Sequence, residues 1–239
     1  MVKQFTFYIK DEKENNFYFD FYKVKKERDH FSIILYGVNE KINNILNIGH
    51  EVIISFKDCF VNIYFTIKEY TLITSDKIQI KTSLKSYLCE KNNNFLAELL
   101  YSWKINEVKY QWYELSKNKK RLWLSSCCSI KNTGYGKNLI TSNIYLHLKN
   151  IKTMLDFYCY LGDKFLGYRG YIGSNLDALD DMLIEISEES IRKTKIYLFD
   201  FDSFNKKMNQ SKKAKKNNID YGSSILEIFK DRKLNYMIV

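Results

Sequence analysis

Between Asp177 and Glu189 the chain carries six carboxylates, Asp177, Asp180, Asp181, Glu185, Glu188 and Glu189, and no Lys or Arg, although its 239 residues have a formal net charge of +10. Carboxylates at that density can act as general acids and bases, hold a hard divalent cation, or present fixed negative charge to a cationic partner. Asp177 and Asp181 stand four residues apart, so on a helix both project from one face, a geometry open to a metal ion. The further carboxylate and the substrate-phosphate groups that complete a magnesium site are missing at any comparable spacing. Gly167, Gly170 and Gly173 lie just upstream, but acids follow them where a phosphate cradle needs Lys. Acids are also favoured near a helix N-terminus by the macrodipole, and a solvated face is the plain structural alternative. Of the chemical readings, a protein surface with fixed negative charge is the most economical, with no metal and no cofactor.

The other carboxylate pair, Asp200 and Asp202, ends the apolar run Ile196 to Phe201. An Asp-x-Asp pair there could supply a nucleophile and an acid/base, as in haloacid dehalogenase-like phosphatases. Those enzymes need a long α/β domain after the pair, whereas only 37 residues follow Asp202. The five cysteines, Cys59, Cys89, Cys127, Cys128 and Cys159, show no CxxC spacing and are expected as free thiols. His30, His50 and His147 form no i, i+4 pair, so neither a zinc site nor a Cys/His nucleophile is indicated. Gly134-Tyr-Gly136 is too short for a dinucleotide loop, and no GxxxxGK[ST] occurs.

The acidic stretch must be positioned by a helix. Glycines at 167, 170 and 173 give a pliant approach, Asn175 stands where an N-cap belongs, and Leu176, Leu179, Leu183 and Ile186 recur as one helical stripe. Upstream, residues 3–82 alternate in the manner of strands, as in Phe5-Thr-Phe-Tyr-Ile9 and Phe17-Tyr-Phe-Asp-Phe21, and predict an antiparallel sheet or small barrel. The strands are expected at 4–10, 16–25, 30–37, 51–56, 60–67, 70–75 and 77–82. Helical spacing appears within 84–117 around Phe95, Leu96, Leu99, Leu100 and Trp103. Residues 121–124 and 127–130 read as one more strand, and Asn132 to Ser142 as a linker. The expected domains are therefore 1–142, an α+β unit of unknown role, and 143–239.

Tyr171-Ile-Gly-Ser-Asn-Leu-Asp-Ala-Leu-Asp-Asp181 resembles the motif Tyr-Tyr-Gly-x-Asn-Leu-Asp-Ala-Leu-Trp-Asp of the barstar family of ribonuclease inhibitors. The resemblance runs from residue 143 to the end. It implies a small α/β domain with a three-stranded parallel sheet: strands at 144–148, 196–201 and 236–239, and helices at 153–165, within the motif, and at 224–233. It also implies that Tyr171, Asp177 and Asp181, with Asp231 in the last helix, contact the partner, and that Gly173 and Asn175 shape the loop. Asp180 replaces the motif's Trp and adds a charge to the partner-binding set, and Ile172 replaces its second Tyr. Residues 205–220 form a longer Lys-rich insertion, expected as a mobile solvated loop.

The function expected from this resemblance is inhibition, with no catalysis, of a barnase-like ribonuclease by an intracellular immunity protein, as in bacterial toxin and antitoxin pairs. The partner is the ribonuclease, not nucleic acid. The alternative is an RNA-binding module in which the aromatic N-terminal sheet engages RNA and the acidic helix recruits a protein. No run of 18 apolar residues and no signal-peptide core is present, so a soluble cytoplasmic protein is expected.

Overall fold

The computed structural model describes residues 7–10, 16–38, 46–56, 62–83, 90–130, 143–186 and 193–239. Their contacts divide the chain into two compact units, Met1–Glu114 and Leu115–Val239.

The first unit is built on a seven-stranded antiparallel sheet of β1 (Phe7–Lys10), β2 (Asn16–Phe19), β3 (Phe21–Lys26), β4 (His30–Tyr36), β5 (Glu51–Phe56), β6 (Asn62–Thr74) and β7 (Lys77–Ser83). Their order is β2-β1-β5-β6-β7-β4-β3, so the two edge strands are the sequence neighbours on either side of Asp20. The sheet must curl until its edges meet at that residue, which decides between open sheet and barrel in favour of a barrel-like closure. The 13-residue β6 serves as the opposite corner, pairing β5 with its first half and β7 with its second, with irregularities near Ile67/Glu69 and Leu72/Thr74. The runs 60–67 and 70–75, expected as two strands, are thus one bent strand.

Alternation puts Phe7, Ile9, Phe19, Tyr22, Val24, Ile33, Leu35, Phe65 and Ile80 inside, all buried. The helix α1 (Glu90–Lys104) packs on β3, where the Asn94 side chain accepts from the Val24 N–H (2.7 Å) and donates to the Val24 carbonyl (2.8 Å). One amide thereby satisfies both backbone groups of an edge residue.

The second unit holds α2 (Lys117–Ile130), β8 (Ile144–His147), α3 (Met154–Leu166), α4 (Leu176–Glu185), β9 (Lys195–Phe199), α5 (Phe201–Asn209), α6 (Lys212–Asn217), α7 (Tyr221–Asp231) and β10 (Asn235–Ile238). The three strands are parallel in the order β10-β9-β8. Ile144, Leu146, Ile196 and Leu198 are buried on the face that receives the helices, where Phe157 of α3 meets Phe204 of α5 at 5.2 Å.

Two expectations are corrected by the structure. Residues 121–130 are helix, because Trp123, Leu124, Cys127 and Ile130 fall at helical spacing and all are buried. That helix packs on α3, and the chain's contacts divide after Glu114; the expected linker, residues 132–142, lies outside the described residues. The Lys-rich insertion is not a loop. Ser211 caps α6 by accepting from the Ala214 N–H (3.2 Å), and the insertion is pinned by the buried Met208 and Ala214.

The loop after α3 rides on it without room for a side chain between them. A Cβ on Gly162 would meet the Gly170 carbonyl oxygen at 2.3 Å, and one on Gly170 would meet that of Gly162 at 2.2 Å. Helix propensity alone favours Ala at position 162 by up to about 1 kcal/mol. The backbone clash outweighs it, and Gly162→Ala is expected to lower the melting temperature, at a net cost of about 1–3 kcal/mol. An unchanged or raised melting temperature would show that the loop does not depend on this approach.

Candidate functional site

Gly173 has φ +122°, and a Cβ there would lie 2.6 Å from the backbone nitrogen of Leu179. Only glycine lets the loop lie this close to the first turn of α4. Asn175 then caps the helix, its Oδ1 accepting from the Ala178 N–H at 2.7 Å. Gly173 and Asn175 thus meet at the start of α4, whose Leu179, Met182 and Leu183 are buried.

The helix therefore turns its acidic side outward, and Asp177 and Asp181 are exposed on it one turn apart. Asp231, at the end of α7, is exposed as well. The two helices are joined by Arg232, whose Nε donates to Asp180 Oδ1 (2.6 Å) and whose Nη2 donates to Oδ2 (2.5 Å). Asp231 and Asp181 also act on the Arg232 charge, which brings Asp180, Asp181 and Asp231 into one field. Of the predicted partner-binding residues, three thus face solvent, while Asp180 is held by an internal cation. The hydrogen bonds from Arg232 hold the Asp180 carboxyl below the usual carboxylate range.

Tyr171 is only 7% exposed. Its hydroxyl donates to Ser174 Oγ at 3.4 Å, and burial pushes its phenol above the ordinary value, with Cys128 and Cys127 of α2 contributing. It works within the loop as a strut. Burial likewise raises the Cys127 thiol and pushes Cys159 up to about 12, so neither is a poised nucleophile.

The part played by α2 is not evident from the sequence. Trp123 packs edge-on against Tyr168 of the loop (5.6 Å), and Lys120 pairs with Asp156, which also accepts from the Thr153 hydroxyl at 2.8 Å. A signal exists in the helical spacing of residues 123, 124, 127 and 130, but the run of β-compatible residue types obscures it. Arg232 gives no sequence signal, because its partner Asp180 lies 52 residues away.

Among the described residues, no group of three or more His, Cys, Asp or Glu could hold a metal ion, and no helix is long and apolar enough to cross a membrane. In the first unit a cavity of about 520 Å³ is lined by Phe21, Tyr36 and Tyr101 with Asp20 and Glu98. Of its acids, Asp20 is engaged by Lys104 (2.7 Å) and Glu98 by Tyr110 (2.5 Å), while Asp76 and Glu107 also line it.

The family model described as Barstar (barnase inhibitor) matches residues 141–236, and the C-terminal part of the chain therefore carries a barstar-type domain. Its α/β order and parallel sheet agree with that match. The helix α2 precedes the matched residues. No curated protein and no solved structure matches the chain.

The Asp180–Arg232 pair carries a sign that can be tested. A carboxyl depressed in the folded state adds stability above its unfolded pKa, about 4, and that contribution disappears as pH falls through the folded value. Arg232→Ala should raise the Asp180 pKa into the ordinary range, read by NMR titration of its carboxyl carbon. With both side chains partly exposed to solvent, the loss of stability at neutral pH should be small. A pKa that remains low in the variant would assign the depression to the surrounding backbone.

Proposed function

Starting from a barstar-type domain at residues 141–236, we propose that this chain is an immunity protein that inhibits a barnase-like ribonuclease by covering its active site. The observation that carries this reading is the exposed pair Asp177 and Asp181 on α4, with Asp231 exposed on the neighbouring helix. A ribonuclease holds a polyanion, so its cleft is lined with cations, and carboxylates fixed on a rigid helix can replace the phosphates there. Inhibition of this kind needs only binding. The barstar family consists of inhibitors, and no bond is made or broken by the residues assigned to the surface.

Rigidity is what makes the substitution effective. Asn175 fixes the start of α4, Arg232 ties its middle to α7, and the carboxylates need little further ordering on binding. Asp180, occupied by Arg232, serves positioning, so Asp177, Asp181 and Asp231 are the groups offered to the enzyme. The buried aromatic residues Phe7, Phe19 and Tyr22 fill the first unit's interior, which removes them from any base-stacking role in the alternative reading.

The test uses the ribonuclease that copurifies with the tagged full chain. Asp181→Ala should weaken inhibition about 30-fold or more, since truncating one partner of a buried charge pair costs about 2–5 kcal/mol, a range drawn in part from the complex of barnase with barstar itself. Asp202→Ala, an exposed carboxylate on α5, serves as a charge-matched control and should leave inhibition unchanged. Equal losses in the two variants would reduce the effect to diffuse negative charge and end the residue assignment.

A further inference from the structure

The second unit is strongly basic despite α4, with 22 Lys and Arg against 13 Asp and Glu over residues 115–239. The helix α7 ends where β10 begins, which places Arg232, Asp180, Asp181 and Asp231 at the amino end of the parallel sheet. Exposed lysines stand at both ends: Lys193, Lys195, Lys230 and Lys233 beside these acids, and a second group at the opposite end. Lys149 and Lys152 lie in the loop that leaves the carboxyl end of β8, and Lys206, Lys212, Lys213, Lys215 and Lys216 on α5 and α6; all seven are exposed.

These two segments are joined. Lys207 donates from Nζ to the carbonyls of Lys149 (3.1 Å) and Ile151 (3.0 Å), so the β8–α3 loop and the α5–α6 segment form one surface. The helix α6 has Ala214 as its buried residue and four lysines around it. Acids at this end are Asp156, Asp200, Asp202 and Asp220; Asp156 is buried and paired with Lys120, and Asp220 is engaged as the N-cap of α7, accepting from Ser223 N–H at 3.1 Å.

The sheet face turned away from the helices reaches the same end. There His147 of β8 stacks on Phe199 of β9 at 4.5 Å and 18°, and Tyr145 stacks on Tyr197 at 5.0 Å and 13°. Parallel sheets are ordinarily covered on both faces, and this one shows Tyr145 47% exposed and Met237 58% exposed. Exposed lysines beside exposed rings fit one ligand chemistry, a flexible polyanion that also carries aromatic bases.

We propose that the carboxyl end of this sheet is a sequence-tolerant binding site for single-stranded nucleic acid, with the lysines of α6 and the β8–α3 loop on the phosphates and His147 stacking a base. The site is independent of the inhibitory surface. The 11 residues of α7 separate the two ends by about 16 Å, so both can be occupied at once.

The experiment is fluorescence anisotropy of a labelled 20-nucleotide uridine RNA titrated with the full chain at 50 and 200 mM salt. Contact with about four phosphates predicts an affinity that falls about 50-fold between those concentrations. The fourfold variant Lys212→Ala, Lys213→Ala, Lys215→Ala and Lys216→Ala, all at exposed positions, should bind at least tenfold more weakly with a flatter salt slope, and its melting temperature should match wild type. His147→Ala should lose about fivefold for the single strand and nothing for a duplex of equal length. Lys23→Ala, Lys25→Ala and Lys26→Ala on β3 together should change nothing. Unchanged binding by the fourfold variant, an equal loss in the β3 variant, or a His147→Ala loss shared by the duplex each overturns the proposal. Binding to phosphatidylserine vesicles with none to RNA assigns the patch to a lipid surface and overturns it as well.

Discussion

The second unit depends on a backbone contact that leaves no space for a single carbon atom. Where the loop after α3 crosses back over that helix, Gly162 and Gly170 bring their carbonyls to positions that a Cβ on either would strike. Close approach fixes the height of the loop, and the positive φ of Gly173 then presses it against the first turn of α4. The direction of α4 follows from Asn175, and the outward carboxylates follow from that direction. The surface chemistry is thus a consequence of three positions where only hydrogen fits. The arrangement is reinforced from outside the family-matched residues by α2, whose Trp123 packs on Tyr168 and whose Lys120 pairs with Asp156.

Like charges gathered at one end of a small unit repel, and the fold answers with a cation of its own. Arg232 sits among Asp180, Asp181 and Asp231 and engages one of them through two parallel hydrogen bonds. It lowers the local self-repulsion while leaving the neighbouring Asp181 and Asp231 exposed to water. A separate group of exposed lysines stands at the far end of α7, on α6 and in the β8–α3 loop.

Local rules are enough to read the acidic helix from the sequence. Its cap, its apolar stripe and its glycine approach are encoded within about 20 residues by steric and hydrogen-bonding preferences that need no tertiary knowledge. Alternation equally announces the strands of the first unit, though not their closure, because the meeting of β2 and β3 at Asp20 depends on the order of all seven strands. Residues 121–130 read as strand because Trp, Leu, Cys and Ile suit either state, and only burial against α3 decides for helix. The Lys-rich segment reads as a loop because charge dominates its composition, while two buried side chains, Met208 and Ala214, are enough to hold it as helix. Long-range pairing of the Asp180 and Arg232 kind leaves no local trace at all.

The central claim is that the amino end of the C-terminal sheet, through α4 and the end of α7, is the surface that meets the ribonuclease. Hydrogen exchange of the full chain, free and saturated with that enzyme, tests it without altering any residue. Slowed exchange confined to the loop and helix 171–185 and to residues 228–233, with α6 and the strands of the first unit unchanged, is the predicted footprint. Protection on the strands of β1 to β7, with residues 171–185 exchanging as in the free chain, would contradict it.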